Sequence, residues 1–379
     1  MPPTDERLLK CTKCSTLTPY PIPMQVGYGV ERVMLVGEAP GREEAEARQP
    51  FVGGAGRVLN SCLANNGLSR SEFFVTNIIR CRPPNNRDPL DEEIANCKEW
   101  MDEEVERVKP SLIVALGSIP ATTLTGQSLG YRGSILPCLS YQTPCLLTYH
   151  PAFVIRSRSD YPVLLNDLAK IKTRPKTYKE DYHYDPPIEL ARALLRKWEE
   201  GRHPIACDIE TAGIQGSGLD PLTDDVIGFA MCGLPGEAFS YTLRGEEREA
   251  RWQVLKDAAE NLPLIWQNNI FDRTFLSAKG IKITAPEWDT MDAMYIIHSD
   301  SEKSLDFLRS VYTTIPPYKK IYKKRESGIA HLSNTDLAHY NCLDVDVTKQ
   351  VYLAQLACFD TSQKRLMERM LKLDSQAIK

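Results

Sequence analysis

A chain of 379 residues is longer than one typical domain, and 42% apolar with 25% charged residues is the balance of a folded globular protein, not a disordered one. A net charge of −4 excludes a polyelectrolyte that grips nucleic acid by bulk charge, so any such contact must come from local patches. No apolar run approaches the roughly 20 residues of a membrane span and the N-terminus lacks a signal-peptide core, so a cytoplasmic protein with no membrane partner is expected.

In chain order, Arg32 to Val36 (RVMLV) predicts a short buried strand, followed by a Gly/Pro loop and a helix from about Ala55 to Asn65. Phe73 to Ile79 predicts a second strand, Asp91 to Val108 an acid-rich amphipathic helix, and Ser111 to Leu116 a third strand. Leu146 to Tyr149 is the fourth, before a helix around Val163 to Ile171. This alternation predicts an α/β domain over residues 1–171 with a mainly parallel sheet, whose site lies at the carboxyl ends of the strands. Residues 172–187 (KTRPKTYKEDYHYDPP) lack apolar periodicity and are expected to be a linker. A second domain, 188–358, begins with strands at Ile205 to Ile209, Val226 to Met231 and Ala238 to Thr242, with a further short strand at Pro263 to Trp266. Helices follow from Asp272, over Leu305 to Tyr312 and over Asp336 to Cys358, and residues 359–379 predict a last helix.

The eleven cysteines fall into two classes. Cys62, Cys138, Cys145, Cys207, Cys232, Cys342 and Cys358 mostly sit in apolar stretches, where a thiol acts as a small hydrophobe. Cys11 and Cys14 form a CxxC, and Cys81 and Cys97 flank a proline-rich loop; these four have the pattern of ligands. Spacing does not separate zinc from an iron–sulfur cluster.

Residues 8 to 170 resemble a family 4 uracil-DNA glycosylase, matching in order at CTKC, VMLVGEAPG, QPFVGGAG, VTNIIRCRPPNNRDP, ALG and TYHPAFVIRS. The resemblance implies a [4Fe-4S] cluster on Cys11, Cys14, Cys81 and Cys97 and uracil-containing DNA as partner. Breaking an N-glycosidic bond requires a base taken out of the stack, recognition of its edge, and stabilisation of the departing charge. Phe51 is then the stacking face, and the Asn77 amide pairs with a carbonyl oxygen and N3–H of uracil. His150 donates to the uracil oxygen where charge collects, and Glu38 positions or deprotonates water. Backbone amides of the Gly37 to Gly41 turn, Ala39 included, are expected to hold a phosphate. Phe153 to Arg158 would wedge the stack, with Arg156 among the substrate contacts. Ala39 stands where some glycosylase families carry a catalytic carboxylate, and no extra His-bearing loop follows PFVGGAG, so covalent capture is not expected.

In the second domain Asp208 and Glu210 alternate on a strand and so face one side of the sheet. Asp272 opens a helix, and Asp344 follows Tyr340 by four residues on one helical face. Four converging carboxylates repel one another unless cations intervene. A pair of Mg²⁺ or Mn²⁺ ions would activate water for phosphodiester hydrolysis, with Tyr340 orienting it. The stretches CDIET, QNNIFD, WDTMDAMYIIHSD, KSLDFL and YNCLDVDVT resemble the DEDD 3′–5′ exonucleases with tyrosine in the third motif, above all the proofreading domain of family A DNA polymerases. That resemblance implies an RNase H-like fold, Asp208, Glu210, Asp272 and Asp344 as metal ligands, and Asn268 as a contact to the DNA 3′ end.

The two resemblances together are similar to the arrangement in some bacteriophage DNA polymerases. No polymerase motif is present, so a polymerase is expected as a separate subunit or as the continuation of a longer product. The expected function is uracil excision combined with two-metal 3′–5′ exonucleolysis. The alternative is a non-catalytic uracil- or DNA-binding module attached to a proofreading exonuclease.

Overall fold

The computed structural model describes residues 6–14, 17, 32–173, 180–212, 220–283, 287–322 and 332–377. The chain divides into two compact units, Met1–Pro175 with Thr314–Pro316, and Lys176–Thr313 with Pro317–Lys379.

The first unit runs α1 (Glu6–Leu9), β1 (Val33–Gly37), α2 (Arg42–Ala47), α3 (Gly54–Asn65), β2 (Phe74–Asn77), α4 (Asp91–Val108), β3 (Leu112–Leu116), α5 (Ser118–Thr125), β4 (Ile135–Pro137), β5 (Pro144–Thr148), α6 (Pro151–Arg156) and α7 (Tyr161–Thr173). The sheet order is β2-β1-β3-β5-β4, parallel except for β4, which pairs antiparallel with β5. Every residue of β1 and β3 is buried, because helices cover both faces. Met34, Val36, Ile113 and Leu147 meet Trp100 and Met101 of α4 on one face. Their neighbours Val33, Leu35, Val114 and Leu146 meet Leu59 and Leu63 of α3 and Leu164 and Leu168 of α7 on the other. The chain leaves β1 for β2 on one side and returns to β3 on the other. The loops after β1 and β3 therefore part at the carboxyl edge and open a crevice.

The second unit runs β6 (Asp181–Tyr184), α8 (Ile188–Glu200), β7 (Ile205–Ala212), β8 (Asp225–Leu234), β9 (Glu237–Thr242), α9 (Arg248–Asn261), β10 (Leu264–Trp266), α10 (Asn269–Ala278), β11 (Glu287–Asp289), α11 (Thr290–Ile297), α12 (Leu305–Tyr312), α13 (Lys319–Tyr322), α14 (Asn334–Cys358) and α15 (Thr361–Ala377). Its sheet order is β11-β10-β7-β8-β9-β6. β7, β8 and β9 are successively antiparallel, while β10 and β11 extend the β7 side in parallel. This is an RNase H-like sheet with one added edge strand. That strand, β6, pairs parallel with β9 and lies within the segment expected to be a linker. Its Tyr182 hydroxyl donates to Asp346 at 2.6 Å. Residues 174–179 of the expected linker lie outside the described residues.

The two faces of this second sheet differ in side-chain size. Phe229, Phe239, Tyr241 and Trp266 fill one face under α8 and α9, with Trp198 of α8 stacked on Phe239. On the other, Ala206, Ala230, Cys232 and Ala238 meet Cys342, Val345 and Tyr352 of α14. Small residues let the helix backbone come close: a Cβ on Gly228 would lie 3.1 Å from Asn341 Nδ2. Asp208 and Glu210 alternate with Cys207 and Ile209, which belong to the aromatic face, and so project toward α14. A register shift between Glu210 and Thr211 ends the regular pairing just beyond them.

Candidate functional site

The loops at the carboxyl edge of the first sheet enclose a cavity of about 700 Å³ lined by Glu38, Ala39, Gly41, Phe51, Asp88, Tyr149, His150, Phe153 and Arg156, among others. Asn77, at the end of β2, is buried beside Gly37 and is not among the residues that line the cavity. A Cβ on Gly37 would sit 2.4 Å from Asn77 Oδ1 and 2.6 Å from the Phe51 ring, so only glycine leaves room for the two to meet. The Phe51 and His150 rings lie 5.7 Å apart and tilted by 31°.

Phe51 is held in an unusual backbone conformation, with φ of 53°. Its N–H donates to Glu44 Oε1 at 2.6 Å, and its carbonyl accepts from Arg70 Nη1 at 2.8 Å. The other Glu44 oxygen accepts from the Gly41 N–H, so that amide is already engaged within the chain. Gly56 is required as well, since a Cβ there would collide with the Phe51 carbonyl oxygen at 1.7 Å. Sequence reasoning did not single out Glu44 or Arg70. The spacing of Gly41 and Glu44, a helix N-cap followed by glutamate at the third helical position, was the signal for the first.

Asn77 is anchored through its carbonyl, which accepts from Arg80; Arg80 also donates to Thr76 and pairs with Glu104 at 2.6 Å, both side chains 2% exposed. His150 caps the N-terminus of α6, its Nδ1 accepting from the Ala152 N–H at 3.1 Å. Burial, and then the nearby Arg156 cation, push its pKa down to about 4. The ring is therefore neutral at pH 7, and with Nδ1 accepting, the proton sits on Nε2. Gly117, at φ 107°, lies against it, a Cβ there coming within 3.1 Å of His150 Cβ. Glu38 is raised above the ordinary carboxyl range by burial and then by Asp88. Phe153 and Ile155 stand exposed on α6 beside the cavity, with the Phe153 ring 4.9 Å from that of Tyr149 and tilted by 44°.

Cys11, Cys14, Cys81 and Cys97 line a different cavity, together with Trp100 and Arg80. The expectation of a [4Fe-4S] iron–sulfur cluster on them is corrected. Among the described residues, the group of His, Cys, Asp or Glu whose ligand atoms converge within 4.8 Å is Asp208, Glu210 and Asp344, and it contains no cysteine. The four thiols share that cavity without forming such a group. Cys97 Sγ accepts from the Arg80 N–H at 3.3 Å, and Cys14 Sγ lies 3.9 Å from the Asn96 amide. Burial raises Cys14 and Cys97 and pushes Cys81 up to about 12. Cys358, expected among the apolar thiols, is exposed.

In the second unit the carboxylates of Asp208 and Glu210 on β7 and Asp344 on α14 converge. Asp272, on α10, stands beside them but outside that group. Its Oδ1 accepts from the Ile209 N–H at 3.1 Å, and burial followed by Asp208 raises it well above the carboxylate range. Tyr340 is fully buried one turn before Asp344. Burial and the charges of Asp344 and Glu210 hold its hydroxyl protonated. Asn268 is exposed at the N-cap of α10 with φ of 66°, and its N–H donates to Asp289 Oδ1 at 3.3 Å. Asp289 also accepts from Asn269 Nδ2 at 2.8 Å and so fixes this turn. Sequence reasoning missed Asp289, Tyr318 and Lys319. The Tyr318 hydroxyl donates to Asp344 Oδ1, and Lys319 Nζ lies 3.1 Å from Asp344 Oδ2. Both come from a turn with no motif to announce it.

The uracil DNA glycosylase superfamily profile matches residues 26–176. A type-4 uracil-DNA glycosylase of Pyrobaculum aerophilum is 38% identical over 178 residues, covering 43% of this chain and 89% of that protein. A DNA polymerase I of Borreliella burgdorferi is 28% identical over 196 residues, half of this chain but 20% of that protein. Among solved structures, the RRP6 catalytic core of Trypanosoma brucei, as a C496S mutant, covers 53% of this chain and 54% of its own at 16% identity, with a TM-score of 0.42. No described helix is long and apolar enough to cross a membrane.

Proposed function

Because this chain belongs, through its N-terminal unit, to the type-4 uracil-DNA glycosylase family, we propose that this unit excises uracil from DNA and that the second unit degrades DNA from its 3′ end. The observation that carries the first half is a cavity lined by Phe51 and a neutral His150, with buried Asn77 packed against the same glycine, Gly37, as the Phe51 ring. A flipped uracil stacks on Phe51 and presents its edge to the Asn77 amide, whose acceptor and donors match an O and N3–H pair that cytosine lacks. As the glycosidic bond stretches, negative charge collects on the base. His150 Nε2–H donates to it without giving up its proton, which suits a ring held neutral at pH 7. Glu38 orients the attacking water from the cavity wall. Phe153 and Ile155 fill the space the base vacates, and Arg156 takes a phosphate.

The second half rests on the carboxylate cluster. An all-oxygen donor set fits Mg²⁺ or Mn²⁺, with Asp208, Glu210 and Asp344 holding the ion and Asp272 joining when a second is bound. When bound, the ions would supply the charge that activates water and stabilises the leaving oxygen. Tyr340 orients that water through its protonated hydroxyl, and Asn268 meets the DNA end. A polymerase as neighbouring domain or subunit follows from the polymerase relative and belongs to this proposal.

The test uses a 5′-labelled oligonucleotide with one internal uracil and a nuclease-resistant 3′ end, incubated in chelator and then cleaved with alkali. A band at the uracil position supports metal-independent excision. DNA retained without a band would make the first unit a reader of uracil attached to a nuclease.

A further inference from the structure

The geometry points to Lys319 as the internal counter-ion of the carboxylate cluster, seated on Asp344 in the metal-free protein and displaced when a divalent cation binds. The inference rests on the reading of that cluster as a cation site.

Three carboxylates converge within 4.8 Å, an arrangement that repels itself unless positive charge is nearby. The Lys319 ammonium supplies it, lying 3.1 Å from Asp344 Oδ2 and 5.8 Å from the centre of the Tyr340 ring. The Tyr318 hydroxyl takes the other Asp344 oxygen. Both oxygens of one proposed metal ligand are thus engaged by adjacent residues of a single turn.

A cation drawn to Asp208, Glu210 and Asp344 meets the ammonium on one of the oxygens it needs. Two features let the lysine leave. Its side chain is 25% exposed, and it starts a helix of only four residues. Tyr318, by contrast, is nearly buried and keeps Asp344 oriented through the exchange. Lys319 therefore weakens cation binding while supporting the empty cluster, the reverse of what a residue that only braces the site would do.

The test measures Mn²⁺ binding to the full chain by the paramagnetic resonance signal of the free ion, alongside thermal melting with and without Mn²⁺. The proteins are the wild type, Lys319→Met, Lys319→Arg and Asp344→Asn. Lys319→Met is expected to bind Mn²⁺ at least about tenfold more tightly. It should melt at a lower temperature when metal-free and at the wild-type temperature when loaded. Lys319→Arg, which keeps the charge, should stay near wild type in both readouts. Equal or weaker Mn²⁺ binding by Lys319→Met, with Asp344→Asn still abolishing it, overturns the counter-ion role alone. Absence of any Asp344-dependent Mn²⁺ binding overturns the cation-site reading and this inference with it.

Discussion

The two sites handle charge in opposite ways. In the cavity of the first unit, burial works against charge: it keeps the His150 ring neutral and raises Glu38. The carboxylate cluster concentrates charge, with Asp208, Glu210 and Asp344 within 4.8 Å of one another. A site of neutral donors can stabilise charge that appears only during the reaction, because nothing there compensates it beforehand. A cluster of anions stores a demand for cations before any substrate arrives. If both proposed reactions hold, excision should ignore chelators and degradation from the 3′ end should stop in them.

The strongest way to break the comparison is Asp208→Ala. Digestion of a DNA 3′ end should fall by more than about 100-fold, the upper range for losing even an outer-shell metal group, with uracil excision unchanged. Residual metal-dependent trimming at the wild-type rate would reject the cluster as the nuclease site. His150→Ala should lower kcat for uracil excision by about 10²–10³ with little change in KM, since its bond matters most in the transition state. A loss confined to KM would instead make His150 a ground-state contact. Asn77→Asp should relax discrimination between uracil and cytosine in paired substrates, and unchanged preference would remove its reading role.

A pH series sharpens the contrast further. The His150 pKa is lowered on folding, from 6.5 to about 4, so below pH 6.5 the unfolded chain takes up a proton that the folded site resists. Stability of the first unit from this group is therefore present above about pH 6.5 and is lost as pH falls toward 4. Excision should fail over the lower end of that window as the imidazolium forms. Melting curves of wild type and His150→Gln should show a gap in pH dependence that closes near neutrality. The smallest effect expected is for Glu44→Ala, which leaves the Gly41 and Phe51 amides without their acceptor. It should cost about 1–3 kcal/mol in thermal or denaturant unfolding.

Much of this was legible in the chain. The apolar runs at β1 and β3 announced strands covered on both faces, and the acid-rich pattern at α4 fixed that helix from Asp91 to Val108. Alternation placed Asp208 and Glu210 on one face of β7, and four-residue spacing put Tyr340 and Asp344 on one face of α14. The cysteines show the limit of such reading. A CxxC with two later cysteines sets which thiols are near in sequence, but how closely their sulfur atoms gather depends on how loops pack, and among the described residues the group of ligand atoms within 4.8 Å contains no cysteine. The strand β6 was missed for a related reason: a short polar edge strand, half exposed, has no apolar alternation to reveal it.

The sequence by itself determined the two α/β units, the strands and helices that carry the chemistry, and the side of each element on which the carboxylates lie. Those properties follow from local periodicity and from residue types whose preferences act over a few positions. Only the tertiary structure decided what surrounds each group. It set the Glu44 and Arg70 bonds that hold Phe51, the Arg80–Glu104 pair under Asn77, the burial that neutralises His150, and the lysine on Asp344. Apart from the Glu44 contact, which the Gly41–Glu44 spacing hinted at, these depend on partners 19 to 25 or more residues apart, and no local spacing rule encodes which of them meet.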